Sequence, residues 1–158
     1  MLVTSRYLMS LALVVWLGGI IFFIVLAPTA FSVLPSHPIA ALLIGPMLSK
    51  LHWMGISAGA IFLLCSAVSR RTVSARTFFL QNLLIALMLM LTAISQFFVM
   101  PRMAALRKPV GDIELLPFTD PVRMQFNALH IWSTRLEGAV LLCGLVVLYC
   151  VSRERQVA

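Results

Sequence analysis

The sequence predicts an all-α integral membrane protein, a bundle of four transmembrane helices. Three observations carry that expectation. Hydrophobic residues make up 61% of the 158 positions against 11% charged, a balance suited to a chain whose solvent is lipid. Four apolar stretches each supply the roughly 20 helical residues that a hydrocarbon core of about 30 Å requires. Basic residues gather at the ends of those stretches, where they act as orientation signals. With no water in the bilayer core, every span must satisfy its own backbone and is therefore helical.

In chain order the spans are expected near residues 7–26, 42–68, 78–100 and 126–151. The first outruns a signal-peptide apolar region and has no small-x-small cleavage pattern behind it, so it is expected to be retained. Residues 28–41 contain Pro28, Pro35 and Pro38; proline removes a helical donor, so an external loop is expected there. The short, basic 69–77 connection makes spans two and three antiparallel neighbours. Residues 101–125, with Pro109, Gly111, Pro117 and Pro121, are expected to form a second, longer external loop.

Arg6, Arg70, Arg71, Arg76, Arg153 and Arg155 fall on one side of such a chain, and Arg102, Arg107, Lys108 and Arg123 on the other. The majority predicts amino-in, carboxyl-in insertion as a multi-pass protein of the cell inner membrane. The same placement accounts for the net charge of +7 without invoking nucleic acid, which is not an expected partner; the lipid bilayer is. Cys65, Cys143 and Cys150 lie in or beside apolar runs with no C-x-x-C pair, which indicates neither a disulfide framework nor a thiolate zinc site. No nucleophile elbow, phosphate loop or dinucleotide fingerprint is present, so the sequence points away from an enzyme.

Polar residues inside the spans need a reason to be there. At 100° per residue, Arg123, Asn127, His130, Thr134 and Glu137 lie on one stripe of the last helix, spaced four, three, four and three. Ser133 borders that stripe, while Arg135 points about 140° away from His130. In helix two, His52, Gly55, Gly59 and Ser66 share a face, and Gly55-x-x-x-Gly59 is a small-residue packing motif. Helix three adds Gln96, with Arg102 at its outer end. Two readings of Glu137 stand: the deepest charge of an outward-opening polar pocket, or a partner that ties neighbouring helices together.

Helices one and three also end alike, FFIVLAP around Pro28 and FFVMP around Pro101, and each is followed by a Leu-His pair, Leu51-His52 and Leu129-His130. A parallel hairpin repeat would set His52 and His130 at matching depth. Two such imidazoles are candidate metal ligands and admit a haem or a transition metal; satisfied core or interfacial histidines are the simpler reading. Three functions are therefore open. The leading one is binding or transport of a small solute or metal complex through a pocket of Arg123, Asn127, His130, Ser133, Thr134, Glu137, His52, Gln96 and Arg102. The others are a haem- or metal-binding redox protein and a non-catalytic scaffold or accessory subunit. Four helices are few for alternating access, so transport would call for a homo-oligomer.

The motifs VVWLGGIIFFIVLAP-x-x-F-x-x-L-P (Val14 to Pro35), LSKLHWMGISAG (Leu48 to Gly59), P-R-M-x-x-L-R (Pro101 to Arg107) and R-x-x-F-x-x-L-H-x-x-S-x-x-L-E (Arg123 to Glu137) together resemble the bacterial branch of the transmembrane protein 205-like family, catalogued as a domain of unknown function. The resemblance implies four membrane helices, with Arg123, Phe126, His130, Ser133 and Glu137 on the recurring motif. It also implies, by analogy with relatives linked to platinum-drug resistance, export of metal complexes or small solutes. A looser likeness of Trp16-Leu17-Gly18-Gly19 to copper-resistance and haem-pathway membrane proteins lacks their earlier histidine, where this chain has Tyr7 and Met9.

Overall fold

The computed structural model describes residues 2–70 and 74–154. Arg71 and Arg155, counted above among the orienting cations, lie outside the described residues. The described chain runs α1 (Leu2–Val33), α2 (His37–Ser69), α3 (Ala75–Ile94), a π turn (Ser95–Val99), α4 (Met100–Arg107), a 3-10 turn (Ile113–Leu115) and α5 (Pro121–Glu154). Helices α1, α2, the α3–α4 rod and α5 are each long and apolar enough to cross a membrane, so the chain is a multi-pass membrane protein. Helix α1 packs on α2 and α5, and α3 packs on the same two, which closes a four-membered bundle.

The helices overrun the expected spans at the prolines. Helix α1 continues through Pro28, which leaves the Ile24 carbonyl without its helical donor; the adjacent Thr29 hydroxyl donates to the neighbouring Val25 carbonyl at 2.7 Å. Pro38 sits in the first turn of α2, where no intrahelical donor is required. The expected 28–41 loop is thus only residues 34–36. Pro101 opens α4 directly after the π turn, in which the Met100 N–H reaches back to the Ser95 carbonyl. The widened turn accommodates the missing donor and keeps 75–107 one rod, so the expected 101–125 loop narrows to 108–120.

Exposed aromatic side chains form two bands. Tyr7 and Tyr149 are exposed at the end holding both termini; Trp53, midway along α2, and Phe97 and Trp132, nearer the 34–36 and 108–120 connections, form the second, loop-side belt. From Trp132 to Tyr149, and from Trp53 to Arg70, the rise is about 26 Å. Trp53 and Phe97 also meet edge to face, 5.9 Å between ring centres, which sets α2 and α3 in register at that level.

Between the belts the core is apolar, with Leu13, Trp16, Phe62, Ile85, Met88 and Val140 buried. The Gly55-x-x-x-Gly59 face of α2 receives Trp16: a Cβ on Gly55 would overlap the indole, and one on Gly59 would meet Leu89 and the same ring. The glycines thus serve close approach of α1 to α2. Near the terminal end, Ser5 and Ser69 share a hydrogen bond of 2.7 Å, and Asn82 donates to Ser66 at 2.9 Å. Removing one such bond in a membrane costs about 0.6 kcal/mol; Asn82→Ala is expected to lower stability by that amount, read from unfolding in bicelles.

Candidate functional site: a buried histidine network below the loop-side belt

The seam that α5 turns inward is Ser133, Val140, Gly144, Val147 and Val151, all buried, and Glu137 falls on it at the same four-three spacing. Because Glu137 is the charged member of an otherwise apolar or small seam, it needs a partner in the bundle. That partner is His52. Its Nε2 lies 2.6 Å from Glu137 Oε1, and its Nδ1 lies 2.8 Å from Gln96 Oε1. Gln96 in turn donates through Nε2 to Ser49 Oγ at 2.9 Å. Four side chains from α2, the π turn and α5 therefore form one chain, Ser49, Gln96, His52, Glu137.

The network's position follows from the belts. His52 and Gln96 are the immediate chain neighbours of Trp53 and Phe97, and Glu137 lies five residues, about 8 Å, deeper than Trp132. The imidazole is 1% exposed and the Glu137 side chain 16%. Toward the terminal end, past Thr92, comes an apolar layer that includes Phe62, Met88 and Val140, and beyond it buried polar side chains resume with Gln81, Ser66, Ser69 and Ser5. Two hydroxyls within one turn of Gln96, Thr92 Oγ1 and Ser95 Oγ, are buried without a hydrogen-bond partner, which leaves Gln96 as the group through which this stretch of the rod reaches His52.

The hydrogens can be assigned by elimination. Gln96 gives its N–H to Ser49, so its oxygen faces His52 and can only accept; Nδ1 therefore carries a hydrogen. Nε2 and the Glu137 carboxyl then meet across 2.6 Å with a single proton between them. Whether that proton rests on nitrogen or oxygen, the pair is neutral overall, which is the arrangement a low-dielectric environment tolerates.

The structure divides the expected pocket residues into two groups. His52, Gln96 and Glu137 come together; Ser133 is buried one turn above Glu137 on the same seam. Asn127, His130 and Thr134 are exposed, the Thr134 hydroxyl donating to the His130 carbonyl at 3.0 Å, and Asn127 and His130 lie on the loop side of Trp132. His130 is nine residues into α5 whereas His52 is fifteen into α2, so the two Leu-His pairs do not occupy equivalent positions. Both ring nitrogens of His52 are engaged by Gln96 and Glu137, and among the described residues no three His, Cys, Asp or Glu side chains cluster as a metal site. The donor set therefore does not fit a haem or metal bridged by His52 and His130 while the network is intact.

Arg102 is exposed on α4. Arg123 instead organises the 108–120 loop: its Nη1 donates to the carbonyls of Glu114, at 3.0 Å, and Leu116, and its guanidinium lies 3.9 Å over the Phe118 ring. Asp120 caps α5 through the Val122 amide at 2.8 Å, and Glu114 pairs with His37 of α2 at 3.1 Å. Arg123→Ala is expected to speed hydrogen exchange across 108–120, and Arg123→Lys to rescue little, since an ammonium cannot reproduce two carbonyl contacts and a planar stack together. Ser49 and His37 are the participants that sequence reasoning passed over. The signal for Ser49 was its spacing, three residues before His52 and so on the same face of α2; nothing local links His37 to Glu114.

A four-helix membrane bundle with a buried polar, ionisable network beside one aromatic belt is the class of protein that fold and site define. The chain belongs to the family described as Domain of unknown function (DUF4149), whose model matches residues 11–109. That stretch contains Ser49, His52 and Gln96 and stops short of Glu137. No curated protein and no solved structure matched the chain.

Proposed function

We propose that the Ser49, Gln96, His52, Glu137 network is the proton-holding floor of a loop-side binding site for a small polar solute or metal complex. The observation that carries this reading is the 2.6 Å contact between a fully buried imidazole and a carboxyl group that remains partly exposed. A group that both shares a proton and retains access can exchange it when a ligand arrives. The basic majority at the terminal end supports an inner-membrane protein with both termini in the cytoplasm and the 34–36 and 108–120 connections outside. The resemblance to transmembrane protein 205-like proteins supports the ligand class. Arg102 and Arg123, on the loop side of the network, favour anionic ligands at its entrance, with Asn127, His130, Ser133 and Thr134 along the approach. The apolar layer under the network closes the way through, so passage to the other side requires that layer to open, in one copy or between copies.

The test is a thermal-shift series on detergent-purified protein with small carboxylates, amines and anionic metal complexes, run beside Glu137→Gln. A solute that raises the Tm of the unaltered protein and leaves Glu137→Gln unmoved supports the site. A panel without effect, or a shift that survives in Glu137→Gln, overturns it and assigns the network to helix packing.

A further inference from the structure

We infer that Gln96, held by Ser49, is a positioning residue that keeps a hydrogen on His52 Nδ1 and thereby confines proton exchange by the network to its Glu137 side. The inference rests on the proposed function for its purpose and on geometry for its content. An imidazole can pass a proton through by accepting at one nitrogen and releasing at the other. Here release from Nδ1 would have to place a proton on the Gln96 amide oxygen, 2.8 Å away, a far weaker base than imidazole or carboxylate. The proton held between Nε2 and Glu137 Oε1 can therefore move only toward the carboxyl. The network takes up and returns protons at one place and does not relay them along α3.

Gln96 could in principle turn its amide over, accept from the Ser49 hydroxyl and donate to a bare Nδ1. Nε2 would then carry the only ring hydrogen, and Glu137 would either be a carboxylate, leaving one uncompensated negative charge in the bundle, or hold its proton on Oε2, outside the contact with the ring. Among the described residues no cation is placed to balance that charge. Helix α1 has only Arg6, at the terminal end, where Arg70, Arg76 and Arg153 also lie; Arg102, Arg107, Lys108 and Arg123 lie on the loop side, with Arg102 exposed and Arg123 bound to the loop carbonyls; Lys50 and Arg135 are exposed on α2 and α5. The observed orientation is neutral with its proton inside the Nε2–Oε1 contact, and the bond from Gln96 Nε2 to Ser49 is what holds it. The π turn supplies the aim: a widened turn of five residues carries Gln96, and such turns recur where a helix must present a side chain for function.

Nitrogen-15 NMR of histidine-labelled protein in lipid vesicles, in a His37→Asn, His130→Asn background that leaves His52 as the sole histidine, reads the two ring nitrogens separately. The expected result is a hydrogen on Nδ1 in the parent protein. Gln96→Ala should shift the tautomer ratio toward Nε2–H by roughly fivefold, the effect of one hydrogen bond. Ser49→Ala should move it in the same direction and Ser49→Thr restore it, and this pair carries the test if Gln96→Ala does not fold. A bare Nδ1 in the parent protein, or a ratio indifferent to Gln96 and Ser49, overturns the inference. No solute is needed, so this outcome is separate from the thermal-shift result.

Discussion

Glu137→Ala is expected to destabilise the bundle by about 3–5 kcal/mol, the cost of leaving one member of a buried pair without its partner. His52, 1% exposed, would keep its bond to Gln96 and lose the one group that shares its Nε2 proton. The companion experiment is the double replacement His52→Leu, Glu137→Leu. Removing both polar groups removes the desolvation penalty as well, and stability should return to within about 1–2 kcal/mol of the parent protein. Unfolding in bicelles measures both. If the double variant recovers stability yet loses the solute-dependent shift, the network is retained for what it does with a proton; a double variant no more stable than Glu137→Ala would show the pair to be the bundle's structural tie.

Trp16→Ala is expected to cost about 3–5 kcal/mol, the usual consequence of emptying a large aromatic from a packed core. Trp16 is 2% exposed and lies against the Gly55 and Gly59 face of α2, so its removal leaves a void between α1 and α2 that neither glycine can fill. The reciprocal change, Gly55→Ala, places a methyl where the indole stands and should cost about 1–3 kcal/mol by overpacking. Joined with Trp16→Phe, which withdraws the overlapping pyrrole edge, the Gly55→Ala penalty should shrink. An equal Gly55→Ala penalty with and without the Trp16→Phe change would mean that the contact is not what makes Gly55 necessary.

These two sites show how differently sequence and tertiary structure contribute. The all-helical, four-span architecture was legible from local chemistry alone, because lipid forbids unsatisfied backbone and each span has to be apolar along its own length. Gly55-x-x-x-Gly59 was legible as a packing face for the same local reason, though not that Trp16 is what fills it. Helix ends were less legible: a proline removes one donor, and whether the helix stops there depends on its surroundings, as with the widened turn before Pro101. Periodicity placed Glu137 on one stripe with Asn127, His130 and Thr134, while the bundle turned it onto the seam of Ser133 and Val140, since the inward face of a helix is chosen by its neighbours.

The sequence by itself determined that this chain spans a membrane four times and that His52, Gln96 and Glu137 are polar groups in need of partners. Only the tertiary structure decided that they are one another's partners. Forty-four residues separate His52 from Gln96 and eighty-five separate it from Glu137, and at such distances no helical period relates one side chain to another. What joins them is the closed packing of α2, the α3–α4 rod and α5, which brings one layer of each helix to the same depth and leaves the imidazole between an amide and a carboxyl.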